Sequence, residues 1–254
     1  MKRRCAQLSP DESLDPLHAA GVKILQPRTG YRFSLDPLLL CAFADIPAKA
    51  RVADLGTGSG VMPLLLAKLG KGREFVGIEL QPELAARAAA SVRLNGLEER
   101  VRIVCADLRA LPAELAGGFD VVLANPPYRR AASGRVAPGA ERAVARHELA
   151  GGLVDFLRTA AWLLRPHGRC SVVHLAERLA ELLAEMRANR LEPKRLRLVH
   201  ARAGAAAKLV LVEGRKDARP GLAVAAPLIV YGAGEGRDYS GEMQAIFKSV
   251  RGER

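Results

Sequence analysis

The clearest local signal in the chain is the segment RVADLGTGSG, residues 51–60. Its first half is a short apolar run typical of a buried strand, and its second half places three glycines in GxGxG spacing behind Asp54. Glycines permit a tight turn and a close approach of the backbone to a ligand, while the free N–H groups of a following helix face that ligand. The segment therefore predicts a strand, a ligand-binding turn and a helix, in that order.

The alternation of strand and helix patterns continues along the chain. Apolar and β-branched runs predict strands at 51–55, 74–79, 101–106, 119–124 and 170–174. Helical periodicity predicts helices at 61–69, 83–95, 152–164 and 177–189. Two further runs, 191–199 and 207–213, have no helix between them and predict an antiparallel pair. The predicted fold class is α/β, a Rossmann-like seven-stranded, mostly parallel sheet with an antiparallel last strand.

The regions on both sides of this core predict additions to one domain. They comprise a hairpin at 21–36 turning at 27–30, a short helix at 36–44, a strand at 226–231 and a closing helix at 239–250. We predict a single domain over residues 1–254, with an N-terminal extension at 1–48, a core at 49–214 and a C-terminal extension at 215–254.

Composition restricts the classes of function. The chain has 254 residues, 49% of them apolar, and no apolar run of about 18 residues, so we expect a full core and no membrane span. The charged start MKRRC is followed by SPDE, which does not fit a secretory signal and favours a cytoplasmic location. The four cysteines form no CxxC pair and the five histidines no HxH or HxxxH spacing, so no metal site is predicted.

The net charge of +12 is a hint about partners. Excess positive charge attracts polyanions by neutralising phosphates and releasing counterions. The same charge also suits simple solubility in an arginine-rich chain, and charge alone leaves these two interpretations open.

Three acidic residues are predicted at the carboxyl ends of the first three strands. Asp54 precedes the first glycine, and no P-loop lysine follows, which favours S-adenosylmethionine over a dinucleotide or a nucleoside triphosphate. Glu79 can accept both hydrogens of a ribose diol, and Asp107 can accept from an adenine amino group. Each acid alone also fits a strand-end or capping role. The predicted cofactor-binding residues here are Asp54, Gly56, Thr57, Gly58, Gly60, Glu79, Leu80, Asp107, Leu108 and Asn125.

The motif Asn125-Pro126-Pro127-Tyr128 follows the fourth strand at the same sheet edge, and all four residues are predicted as catalytic. The two prolines remove two backbone donors and stiffen the turn. The oxygens of Asn125 and Pro126 can then accept from an NH2 group and direct its lone pair at a methyl sulfonium. Tyr128 offers a face on which a planar substrate stacks. Such chemistry needs no metal; the alternative is a plain proline turn with a buried tyrosine.

The glycine-rich turn and the NPPY motif together resemble the class I amino-methyltransferases that act on adenine in DNA and RNA, guanine in ribosomal RNA or glutamine in release factors. Further segments narrow the resemblance to the bacterial tRNA (adenine-N6)-methyltransferases acting on adenosine 37 of valine tRNA, over residues 15–247. These segments are GYRFSLD at 30–36, ARHE at 145–148, PLIVY at 227–231 and DYS at 238–240.

That resemblance implies an N-methyltransferase that uses S-adenosylmethionine, releases S-adenosylhomocysteine and acts on tRNA, with no stable protein partner. It also implies that 31–36 closes over the methionine end of the cofactor, with Phe33 and Asp36 as contacts. An N-cap role for Asp36 is the alternative, and His147 and Glu148 either border the pocket or start a helix. The Arg-Arg pair after Tyr128 departs from several relatives and leaves the preferred RNA open.

Three other functions remain open: a glutamine methyltransferase of release factors, another rRNA or DNA amino-methyltransferase, and a non-catalytic RNA-binding protein with the same fold. The glutamine enzymes usually carry a longer helical N-terminal domain, whereas about 48 residues precede the sheet here. The net charge also favours RNA. An intact glycine turn and Asn125 argue against a protein without catalytic activity.

Two basic segments are candidates for holding the RNA backbone. Residues 129–147 carry five arginines against Glu141, and their composition predicts a loop that orders on binding. The predicted RNA-binding residues are Arg129, Arg130, Arg135, Arg142 and Arg146. A second phosphate-contacting surface is predicted within 193–219, from Lys194, Arg195, Arg197, Arg202, Lys208, Arg215, Lys216 and Arg219.

Overall fold

A computed structural model describes residues 12–17, 21–27, 34–128, 151–234 and 236–251. The strands are β1 Glu12–Leu17, β2 Val22–Pro27, β3 Arg51–Leu55, β4 Glu74–Glu79, β5 Val101–Cys105, β6 Phe119–Ala124, β7 Leu164–Leu175, β8 Leu191–His200, β9 Ala207–Lys216, β10 Ala223–Val224 and β11 Leu228–Ile229. The helices are α1 Asp36–Phe43, α2 Val61–Lys68, α3 Pro82–Leu94, α4 Leu153–Leu163, α5 Leu179–Ala188 and α6 Gly241–Arg251.

The main sheet has the strand order β10-β8-β9-β7-β6-β3-β4-β5, with β11 also pairing with β8. The strands from β5 to β7 run parallel, and β9 runs antiparallel to both of its neighbours. This confirms the predicted Rossmann-like, mostly parallel sheet whose last long strand is antiparallel. The sheet contains nine strands instead of seven, because β10 and β11 add two residues each to β8. Strands of two residues are too short to produce a recognisable alternation.

The order of strands determines where a ligand can bind. Chain order runs from β3 through β4 to β5 on one side, and then returns to β6 on the other side of β3. The connections that leave β3 and β6 therefore diverge, which opens a crevice at the carboxyl ends of these two strands. The glycine-rich turn and the NPPY motif are the segments that leave these two strands.

Apolar side chains cover both faces of the sheet. One buried cluster joins α1, α2, β2 and α6, and the other joins α4 and α5 to the opposite face. Helix α2 is buried along nearly its whole length, which explains why its sequence, VMPLLLAK, is almost continuously apolar. Helix α3 has Pro82 at its first turn and Gly96 just beyond its end, as the sequence predicts.

The N-terminal hairpin differs from the prediction. Strand β1 pairs with β2 from Glu12 opposite Pro27 to Leu17 opposite Val22, a pairing that the sequence analysis does not predict, and most of the predicted turn at 27–30 lies outside the described residues. The first strand escaped recognition because Asp15 and Pro16 are residue types that strands disfavour. Gly21, with φ +63°, directly precedes β2.

The hairpin is attached to α3 by polar contacts. The amide of Leu25 donates to Ser91 Oγ at 2.9 Å, and the Asn95 side chain bonds both the N–H and the carbonyl of Lys23. Ser91 is fully buried, so its hydroxyl satisfies a backbone donor that would otherwise lie unpaired. In the described part of the chain, no helix combines the length and the apolar character that crossing a bilayer requires.

Candidate active site

The glycine-rich turn takes a backbone shape that other residues rarely adopt. Gly56, Gly58 and Gly60 have φ values of +67°, +56° and +76°. A Cβ at Gly56 would lie 3.2 Å from the Phe156 ring, and one at Gly60 would lie 3.3 Å from Ala88 Cβ. The turn is therefore closely packed from behind, which leaves its other side for a ligand.

The Asp54 carboxylate lies beneath this turn and is 1% exposed. Its Oδ2 accepts from Thr57 Oγ1 at 2.6 Å, while Oδ1 is buried without a hydrogen-bond partner among the described residues. Burial raises the pKa of Asp54 to about 7; the Thr57 hydrogen bond opposes the shift and the nearby charge of Glu79 adds to it. A buried acceptor without a donor is costly, so a ligand that donates here would be stabilised.

Glu79 joins the turn to the start of α3. Its two oxygens accept from the amides of Gly58 and Gln81, each at 2.9 Å, and the side chain is 6% exposed. Each oxygen keeps a further lone pair, so the carboxylate retains acceptor capacity for a ligand. The neighbouring Leu80 is half-buried, and its carbonyl lies 3.9 Å from Cys105 Sγ at the end of β5.

Asp107 follows β5 at the same sheet edge, where Arg109 occupies part of its carboxylate. The carboxylate accepts from the Arg109 amide at 2.9 Å and from the guanidinium at 2.9 and 2.6 Å. This guanidinium lowers the pKa of the Asp107 carboxyl below its ordinary value. Leu108 is buried behind it, and its carbonyl accepts from Thr159 Oγ1. The arrangement keeps Asp107 ionised and oriented as an acceptor.

The NPPY motif leaves β6 with Pro126 buried and Asn125, Pro127 and Tyr128 half-buried. The Tyr128 hydroxyl lies 2.6 Å from Asp36 Oδ2 and 3.1 Å from Asn125 Oδ1. The motif is thus joined to α1, although 92 residues separate Asp36 from Tyr128 in the chain.

The structure tests one of the two predictions for Asp36. Leu35, not Asp36, is the N-cap residue of α1, and the Asp36 amide donates to Ser34 Oγ at 3.3 Å. The N-cap alternative is therefore wrong, because the Asp36 carboxylate reaches across to the NPPY motif. A contact of Asp36 with a cofactor stays a prediction.

His174 and Arg178 border the site and were not found by sequence reasoning. The fully buried His174 ring lies 5.5 Å from the Tyr128 ring, and its Nδ1 accepts from the Leu175 amide at 2.7 Å. Burial, followed by the positive charge of Arg178, lowers the pKa of His174 to about 4. Arg178 donates to the Tyr128 carbonyl and makes a two-pronged ion pair with Glu181. The sequence feature that could have indicated His174 is a polar residue directly after an apolar pair of valines in β7.

Several predicted residues lie outside the described part of the chain. They are Phe33, Arg129, Arg130, Arg135, Arg142, Arg146, His147 and Glu148. Their predicted roles are untested by the structure. Within the described ranges, no group of three or more histidine, cysteine or acidic side chains is arranged to hold a metal ion.

The second basic segment is largely used inside the protein. Arg195 bonds the Phe43 carbonyl and Glu213, and Lys216 bonds two carbonyls at the end of α4. Six of the eight predicted side chains donate to partners within the chain: Lys194, Arg195, Arg197, Arg202, Arg215 and Lys216. The sequence shows their charge but not their partners within the chain, and contact of this segment with phosphates stays a prediction.

Taken together, the strand order and the glycine-rich turn behind β3 define the class I methyltransferase architecture. Residues 46–218 match a family model described as a methyltransferase domain. A crystal structure of a predicted O-methyltransferase from Agrobacterium tumefaciens is similar, with a TM-score of 0.67, 25% identity and coverage of 85% of this chain and 96% of that chain.

Curated relatives narrow the family further. The chain is 31% identical over 191 residues to the tRNA1(Val) (adenine(37)-N6)-methyltransferase of Porphyromonas gingivalis strain ATCC 33277, covering 72% of this chain and 74% of the relative. It is 28% identical over 188 residues to the protein of the same name from Tolumonas auensis, covering 74% of this chain and 77% of that relative. The chain belongs to the tRNA1(Val) (adenine(37)-N6)-methyltransferase family of methyltransferase-domain proteins.

Proposed function

We propose that this enzyme transfers a methyl group from S-adenosylmethionine to the exocyclic N6 amino group of an adenine in tRNA, and that adenosine 37 of a valine tRNA is its site. The observation that carries the proposal is the NPPY motif, which leaves β6 beside the glycine-rich turn of β3 at the switch in strand order. The names of the curated relatives support the substrate.

The residues around the glycine-rich turn fit S-adenosylmethionine. Asp54 Oδ1 is a buried acceptor without a partner among the described residues, suited to a cationic or N–H donor. Glu79 retains acceptor capacity for a ribose diol, and Asp107 for an adenine amino group. When bound, the cofactor supplies an electrophilic methyl group, and S-adenosylhomocysteine is the product.

The NPPY motif would orient the nucleophile. Asn125 Oδ1 and the Pro126 carbonyl accept the two hydrogens of the target amino group, so the nitrogen lone pair is left to attack. As the nitrogen gains its new carbon it becomes cationic, these two oxygens stabilise the developing charge, and one proton then leaves to water. The buried His174 stays neutral near pH 7 because its pKa is about 4, so this ring adds no positive charge beside the reacting nitrogen.

Tyr128 and the arginine-rich segment would hold the RNA. An anticodon-loop adenine already lies outside a duplex, so moving it onto the Tyr128 ring costs roughly a few kcal/mol or less. Arg129, Arg130, Arg135, Arg142 and Arg146 follow directly in the chain and are proposed to contact phosphates. A tRNA substrate would favour a cytoplasmic location.

The test is methyl transfer from labelled S-adenosylmethionine to tRNA that lacks its own modifications, followed by nucleoside analysis. We expect N6-methyladenosine at position 37 of valine tRNA, and a loss of about 100-fold or more in Asn125→Ala. Asn189→Ala is the matched control, because Asn189 caps α5 with its side chain on the Glu185 carbonyl.

The same assay separates the alternatives. Label in a glutamine of release factor would move the enzyme to the protein methyltransferases. Label in ribosomal RNA or DNA would keep the amino-group chemistry and change the substrate. Cofactor binding without transfer to any of these acceptors would leave a non-catalytic RNA-binding protein.

A further inference from the structure

Three side chains form a continuous polar contact at the candidate site, which we call the tyrosine bridge. It runs from the Asp36 carboxylate through the Tyr128 hydroxyl to the Asn125 carboxamide, with distances of 2.6 and 3.1 Å. One end of the bridge, Asp36, lies on α1. The other end, Asn125, is the proposed acceptor for the target amino group.

The hydroxyl has a single hydrogen to share between its two neighbours. The contact with Asp36 is the shorter one, and a carboxylate is a stronger acceptor than an amide oxygen. The hydrogen therefore goes to Asp36, and the hydroxyl oxygen faces Asn125 as an acceptor. If Asn125 Oδ1 faced this hydroxyl oxygen, two acceptors would be in contact with no hydrogen between them.

A half-turn of the Asn125 carboxamide removes this conflict. The amide has nearly the same shape in both orientations, so the hydrogen-bond network decides between them. With Nδ2 donating to the Tyr128 hydroxyl, both contacts of the bridge pair a donor with an acceptor, and Oδ1 is turned away from the tyrosine.

The ring that carries the hydroxyl is fixed from two other directions. Arg178 donates to the Tyr128 carbonyl at 3.1 Å, and the His174 ring lies against the tyrosine ring at a centroid distance of 5.5 Å. Arg178 is itself fixed by Glu181 through hydrogen bonds of 2.9 and 2.6 Å. The position of the hydroxyl between Asp36 and Asn125 is therefore determined by packing on both sides.

We propose that Asp36 is a positioning residue for methyl transfer: by taking the Tyr128 hydrogen, it turns Asn125 so that Oδ1 stays available to the target amino group. This inference rests on the proposed function. Without an acceptor at position 36, the hydroxyl would donate to Asn125 Oδ1 and occupy the oxygen that the substrate needs.

A double-variant experiment tests this competition. We expect Asp36→Ala to lower kcat by about 10- to 100-fold, the usual range for one lost or blocked hydrogen bond. Tyr128→Phe removes the competing hydroxyl and is expected to lose only a few-fold. Asp36→Ala/Tyr128→Phe should then return to the kcat of Tyr128→Phe alone. Asp36→Asn offers an amide oxygen no stronger than that of Asn125, so its kcat should lie between those of the wild type and Asp36→Ala.

Additive losses in the double variant would overturn the proposal. So would a loss in Asp36→Ala that is explained by weaker binding of S-adenosylhomocysteine, measured by calorimetry on the same preparations. Thermal unfolding of each variant checks that the fold is kept. Asp45→Ala is the matched control, since Asp45 pairs with Arg169 away from the bridge.

A measurement without substrate separates this inference from the proposed function. The side-chain amide signal of Asn125 in an NMR spectrum of the free protein is assigned by its absence in Asn125→Ala. We expect both Tyr128→Phe and Asp36→Ala to shift it and Asp45→Ala to leave it unchanged. Shifts in a protein that methylates no tRNA would support the bridge and refute the substrate. An unmoved signal in an active enzyme would refute the bridge.

Discussion

At the scale of single residues, burial favours the neutral forms of both Asp54 and His174 in the folded protein. Both are buried, and burial disfavours a charge, so the pKa of the acid is raised to about 7 and that of the histidine is lowered to about 4. The two shifts have opposite consequences for the stability of the protein, and these can be measured separately.

The free energy of unfolding is expected to fall below pH 6.5 because of His174. The unfolded chain binds a proton there with the ordinary pKa of 6.5, whereas the folded protein resists it until about pH 4. Between pH 7.5 and 5 this one residue is expected to cost about 2 kcal/mol. Urea unfolding of His174→Phe at both pH values should show a smaller fall than the wild type. His167→Asn, at an exposed histidine, is the control, and equal falls in all three proteins would contradict the assignment.

The raised pKa of Asp54 predicts the opposite dependence of stability on pH. Its folded pKa is raised from 3.8 to about 7, so the folded state binds the extra proton and stability is lost as pH rises through this range. We expect the stability of Asp54→Asn relative to the wild type to be greater at pH 8 than at pH 5, by about 2 to 3 kcal/mol. Chemical denaturation at the two pH values measures this. A gain of the same size at both would contradict it, and Asp45→Asn controls for a surface charge.

At the scale of elements, the glycine-rich turn combines backbone shape with close packing. Gly56 and Gly96 both have positive φ values, +67° and +63°, but a Cβ at Gly56 would meet the Phe156 ring whereas one at Gly96 meets nothing within 4 Å. Replacement of each by alanine therefore separates the free-energy cost of backbone strain from the cost of the steric clash with Phe156.

We expect Gly96→Ala to lose about 1 kcal/mol from backbone strain alone. Gly56→Ala should lose more, and it should also weaken binding of S-adenosylhomocysteine because the turn must move away from Phe156. Thermal unfolding and calorimetric titration of both variants give the comparison. Unchanged ligand affinity in Gly56→Ala would show that the turn does not form the cofactor site.

Which elements could be predicted from sequence depends on how they are buried. Strands β3, β4 and β6 are buried on both faces and are mostly apolar, so their bounds agree with the prediction. Strand β1 was missed because its pairing with β2, not its own composition, makes it a strand. His174 was missed for a related reason: it is one of several polar residues in β7, and its role becomes visible only when the fold brings it beside Tyr128.

At the scale of the whole molecule, the basic side chains that give the net charge of +12 fall into groups with different roles. Arg197 pairs with Glu242 of α6, and Arg202 donates to the carbonyls of Gly232 and Gly234. These cations stabilise the C-terminal region, whereas the arginines of 129–147 directly follow the NPPY motif and are the ones we propose for RNA.

The salt dependence of tRNA binding distinguishes the two groups. We expect Arg135→Gln/Arg142→Gln to reduce the slope of log affinity against log salt concentration by about 1 to 2, because each phosphate contact contributes about 0.7 to 0.9. Arg197→Gln/Arg202→Gln should lower the unfolding temperature and leave the slope unchanged. Filter binding at several salt concentrations measures the slopes, and a reversal of the two results would place the RNA on the second basic segment.

The two short strands on β8 also have a consequence for association between molecules. Strand β8 would otherwise be an open edge of the sheet, with unpaired backbone groups able to join the edge of another chain. β10 and β11 cover part of that edge, and the amides of Ala225 and Val230 bond the carbonyls of Leu196 and His200. The C-terminal region thereby protects the protein against aggregation, and its detachment would expose a template for intermolecular β-pairing.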